Sequence, residues 1–66
     1  NMEDIAQFFN LYLKDKKSIE AVDIPVLMIL VKVARLMKTP FHDDSAKDVI
    51  GYGGILRGII KNGKAK

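Results

Sequence analysis

The 66-residue sequence predicts an all-α fold of three helices, over about residues 2–13, 22–38 and 44–60. Three observations carry this expectation. Ile5, Phe8, Phe9 and Tyr12 recur at i, i+3, i+4 and i+7, the spacing of one helix face. Ile24 to Lys38 is apolar on nearly every side, broken only by Lys32 and Arg35, as in a helix enclosed by its neighbours. Pro25 and Pro40 bracket that stretch where prolines fit, in a first turn and just beyond a helix end.

Taken in order, Asn1 suits an N-cap, with Glu3 and Asp4 in the first turn of a helix. Met2 and Leu13 join its apolar stripe. Glu3, Gln7, Asn10 and Lys14 lie opposite, and Leu11 is out of place among them. A helix opening at the very first residue hints at a piece of a longer chain. Lys14 to Glu20 reads as a solvated turn, with phosphate binding by Lys16 and Lys17 as the alternative.

The second helix begins within residues 21–24, with Asp23 suited to its positive end, and stops before Pro40. At 100° per residue, Pro25, Met28, Lys32 and Arg35 share one narrow face of it. A short loop then implies an antiparallel third helix, capped by Asp43 or Asp44. Gly51, Gly53, Gly54 and Gly58 each weaken that helix by about 1 kcal/mol relative to alanine. A phosphate loop at 51–54 would lack both a P-loop lysine and a preceding strand. The favoured reading is a helix whose missing side chains, at Gly54 and Gly58 above all, admit a close backbone neighbour. Asn62-Gly63 is expected to end it.

Residues 1–60 form the single expected domain, and 61–66 a flexible basic tail. The absence of cysteine rules out disulfides and thiolate metal sites. The run from Ile24 to Val31 is too short for a bilayer span, so a soluble, cytoplasmic protein with no membrane partner is expected. The net charge of +3 comes from the tail: residues 1–60 carry eight basic and eight acidic side chains. Nucleic-acid binding normally needs a basic face on the fold itself, so it is not expected, and the tail is its weak alternative.

Asp44 and Asp48 stand at i, i+4, on a face continued by Gly51, Ile55, Gly58 and Ile59. Inward carboxylates need a cation. Lys32 and Arg35, at the matching level of the second helix, would supply it as ion pairs. The alternative is a metal site, with Asp44 and Asp48 holding Mg²⁺ while Lys32 and Arg35 contact phosphates. His42, the single histidine, reads as a surface or pre-helix residue. No serine or threonine stands in a nucleophile arrangement. Two neighbours from one chain cannot cover the second helix, which predicts a helical-bundle homodimer. Its expected interface includes Met28, Val49, Gly53, Leu56 and Ile60.

The runs Asp-Ile-Pro-Val-Leu-Met-Ile-Leu-Val-Lys-Val-Ala-Arg-Leu (23–36) and Asp-Ser-Ala-Lys-Asp-Val-Ile-Gly-Tyr (44–52) resemble a family of small phage and prophage proteins of unknown function. Asn-Met-Glu-Asp-Ile-Ala (1–6) is similar to that family's opening, so the likeness covers most of the chain. The family itself looks like a distant relative of the all-α, MazG-type nucleoside triphosphate pyrophosphohydrolases. That likeness implies an oligomeric helical bundle, with Asp44 and Asp48 in the region of the second acidic Mg²⁺ motif. The spacing departs from the i, i+3 of those enzymes, and Lys32 and Arg35 stand where the first motif would need carboxylates. The resemblance thus supports the fold and the oligomer more than an activity. With the excess of apolar side chains, the expected function is that of a non-catalytic phage accessory protein without a cofactor, acting by oligomerisation and by binding a host or phage protein or a nucleotide. A reduced Mg²⁺-dependent pyrophosphohydrolase is the alternative.

Overall fold

The computed structural model describes the backbone of residues 1–65 and the side chains of residues 1–63. Three helices are present, α1 (Met2–Leu13), α2 (Asp23–Lys38) and α3 (Asp43–Ala65), and no strand occurs among the described residues.

Local chemistry explains most of the boundaries. Asn1 caps α1, its side-chain oxygen accepting the Asp4 N–H at 3.0 Å. Turn hydrogen bonds from Asp23 N–H to the Glu20 carbonyl and from Ile24 N–H to that of Ala21 lead into α2. Pro25 is its third residue, where a missing N–H leaves no intrahelical bond unmade. At the far end Thr39, ahead of Pro40, leaves the helical region at φ −132°, ψ 81°. Four residues, 39–42, then reverse the chain.

Two boundaries of α3 depart from the sequence expectation. His42 takes the cap position assigned to Asp43 or Asp44: its carbonyl accepts the Ala46 N–H, and the two aspartates fall in the first turn. At the other end α3 passes through Asn62-Gly63 and reaches Ala65. No glycine adopts a positive φ, so the left-handed geometry that lets Asn-Gly stop a helix is not used here. The flexibility expected of the basic tail falls in part on Lys66, outside the described residues.

The helices lie side by side with α2 in the middle, and α1 and α3 do not meet. Both contacts are antiparallel: Tyr12, late in α1, reaches Asp23, and Lys32 in α2 reaches Asp48 early in α3. The result is a slab with extents of 40 × 26 × 10 Å. Three parallel axes about 9 Å apart account for a width of this order, and 10 Å is the thickness of about one helix. The radius of gyration is 12.9 Å, against about 10.8 Å for a compact chain of this length.

A single layer has no centre to fill. The buried apolar residues among those described are Pro25, Leu27 and Ala34, the last two on the side of α2 that includes Asp23. Met2, Leu11, Ile24, Met37, Phe41, Ile50 and Ile55 are exposed.

Candidate functional site

The basic stripe of α2 meets the start of α3. Lys32 Nζ lies 2.9 Å from Asp48 Oδ2, with 29% and 47% of the two side chains exposed. A half-solvated pair of this kind is worth little to stability, typically about 0–1 kcal/mol. Arg35 turns instead to His42, with Nη2 3.2 Å from Nε2. Asp44 is exposed, and no basic side chain among the described residues lies within 4.0 Å of it. Of the two carboxylates that the helical projection placed on an inward face, Asp48 is half-buried against Lys32 and Asp44 is exposed. The α3 side turned towards α2 is lined by Ser45, Asp48, Val49, Tyr52, Leu56 and Ile59, all buried or half-buried, while Asp44, Gly51, Ile55 and Gly58 are exposed.

His42 links the loop to the helix it caps. Its Nδ1 lies 2.8 Å from Ser45 Oγ and 3.2 Å from the Ser45 backbone nitrogen. Neutral imidazole has one donor and one acceptor nitrogen, whereas a guanidinium only donates. If Nε2 accepts from Arg35, the ring proton sits on Nδ1 and is donated to Ser45 Oγ. If Nδ1 accepts the Ser45 N–H as a helix cap, the Arg35 contact is given up. Either arrangement satisfies Ser45, which is 1% exposed.

Between the start of α1 and the middle of α2 runs an open groove of about 300 Å³, lined by Asn1, Met2, Ile5, Val31, Lys32, Ala34 and Arg35. It places both cations of the stripe beside an apolar floor. Among the described residues no three His, Asp or Glu side chains group closely enough to hold a metal ion. Asp44 and Asp48 alone offer two carboxylates, one already paired with Lys32.

The most connected polar residue is Asp23, which sequence reasoning assigned only to a helix end. It has no exposed surface. Tyr12 Oη donates to Oδ1 at 2.9 Å, Lys16 Nζ lies 3.0 Å from the same oxygen, and the Glu20 N–H donates to Oδ2 at 2.8 Å. The Glu20 N–H foremost, then Lys16, hold the Asp23 carboxyl below its ordinary range. Desolvation first, then its bond to Asp23, raises Tyr12. The bond to Asp23 likewise raises Lys16, whose ammonium also stands 5.5 Å from the Tyr12 ring centroid. The cluster ties the 14–22 connection to the start of α2. A signal existed in the sequence, since an acid just before Pro25 faces a loop containing Lys16, but the tyrosine partner eleven residues away left none.

Residues 1–60 match the family described as Domain of unknown function (DUF6378). The chain belongs to this family. Among its relatives, the Gene 55 protein of Mycobacterium phage D29 is 44% identical over 61 residues, 92% of this chain and 39% of that protein. The Gene 55 protein of Mycobacterium phage L5 is 40% identical over 58 residues, 85% of this chain and 35% of that protein. The chain thus spans under two-fifths of the length of these relatives. No solved structure matches. The DUF6378 chain is a phage-type protein of unknown function, and among its described residues no helix is long and apolar enough to cross a membrane.

Proposed function

We propose that this DUF6378 chain is a non-catalytic phage accessory module that works as a homodimer in the cytoplasm of an infected or lysogenic host, where it binds a protein or nucleotide partner. The supporting observation is the slab itself: one helix thick, with a core of only Pro25, Leu27 and Ala34 among the described residues, and with Met, Ile, Leu and Phe side chains exposed on all three helices and the loop after α2. Apolar surface of this extent on a small soluble domain marks an interaction site. A second layer supplied by a second copy turns two slabs into a bundle with an interior.

Catalysis as a Mg²⁺-dependent nucleotide pyrophosphohydrolase draws no support from the donor set. Phosphoryl chemistry of that kind needs charge neutralised by a metal cluster. Here Asp48 is engaged by Lys32, and Asp44 is exposed.

Sedimentation velocity at micromolar concentration tests the assembly, with a species of twice the 7.4 kDa chain mass expected. A 7.4 kDa species at every concentration overturns the dimer. Incubation with nucleoside triphosphates and Mg²⁺ tests the rest. No pyrophosphate release is expected, and turnover that disappears in Asp48→Asn would establish the enzyme reading instead.

A further inference from the structure

The slab has two broad faces, and they differ in chemistry. Projection at 100° per residue, anchored by the Lys32–Asp48 pair and the groove lining, sorts their residues. One face carries the groove, Lys32, Arg35, Asp44 and Asp48, with Ile24 and Ile55 between them. The other carries Ile29, Val33 and Met37 from α2 beside Val49, Gly53 and Ile60 from α3, an apolar surface with the exposed Arg57 at its outer edge. Met28 projects to the charged face, apart from the other expected interface residues.

Resting on the dimer reading above, we infer that the second copy docks on this apolar α2–α3 face, with Arg57 at its rim, and leaves the groove and its cations open. The charges choose the face, and the chain's surface area and the open backbone at Gly53 are compatible with a partner there. A two-fold interface must be self-complementary. An apolar surface meets that condition anywhere, whereas burying the Lys32–Asp48 pair and Arg35 would strip water from charges already satisfied within the chain. The area is also right. The chain exposes 5090 Å², about 900 Å² more than the roughly 4,200 Å² of a compact 7.4 kDa protein, and a standard interface buries about 800 Å² per partner. Finally, the position where Gly53 would carry a Cβ has nothing within 4 Å. A partner helix can therefore approach the α3 backbone at the middle of this face.

Val33→Glu and Ile55→Glu, one on each face and both at exposed positions, separate the possibilities by sedimentation, with circular dichroism as the check on helicity. Val33→Glu is expected to yield helical monomer at concentrations where the parent chain and Ile55→Glu are dimers. Loss of dimer in Ile55→Glu but not in Val33→Glu overturns the choice of face and leaves the dimer standing. A monomeric parent chain overturns the dimer itself. Should Val33→Glu fail to fold, the lack of cysteine allows a second reading. The thiol of Val33→Cys is expected to react with a maleimide several-fold more slowly at high protein concentration than at low. That of Ile55→Cys is expected to react equally at both, and the reverse pattern overturns the assignment.

Discussion

Asp23 is the residue on which the α1–α2 connection depends. A carboxylate without solvent is tolerated because a phenol, an ammonium and a backbone N–H all donate to it. Removing the acceptor strands three donors, while removing one donor leaves two. Asp23→Ala is therefore expected to lower the urea midpoint more than Tyr12→Phe. The pH dependence follows from the directions of shift. The folded chain holds the Asp23 carboxyl below its ordinary value, so its contribution is complete above about pH 4 and is lost as the pH falls further. Tyr12 and Lys16 are raised, so their contributions are complete below about pH 10 and are lost above it. Urea unfolding between pH 5 and pH 2 is the check (about the range in which a lowered carboxylate titrates). The acid-side loss is expected to shrink in Asp23→Asn. The sequence did not reveal this cluster because its members come from three turns of chain brought together only by packing. The Lys32 stripe was legible from periodicity alone, and it meets α3 through Asp48.

At the scale of the element, α3 is the informative case. Its existence followed from Asp43, Asp44 and the apolar spacing, but its glycines looked like a device for close packing. Within the chain they are not one: a Cβ at Gly51, Gly54 or Gly58 meets nothing within 4 Å. An alanine at Gly58 is therefore expected to raise helix stability by about 1 kcal/mol, read from urea unfolding of the variant. The end of α3 was misplaced for a related reason. An Asn-Gly pair permits a left-handed turn without enforcing one, and here α3 runs through Gly63 to Ala65 with no positive φ. In α2 the prolines did enforce their boundaries, because ring geometry acts whatever the tertiary context. Leu27 is the buried leucine of that helix, and Leu27→Ala is expected to cost about 2–3 kcal/mol. In a domain this small that is most of the stability, so the variant should lose its helical signal on mild warming.

At the scale of the molecule, the three helices and the central place of α2 were legible in the sequence, because a helix apolar on nearly all sides must sit between others. That they would form a sheet-like layer was not, since periodicity says which side is apolar and not how neighbours are disposed around it. The layer is the reason for an association-based account: two slabs can share an interior that one slab lacks. Pairing should then add to the stability of the folded chain, and a dimer that unfolds to monomers is more stable at higher concentration by mass action. Thermal unfolding by circular dichroism at several protein concentrations tests this most directly. A midpoint that climbs steadily with concentration is the expected result, and a midpoint independent of concentration would contradict the account.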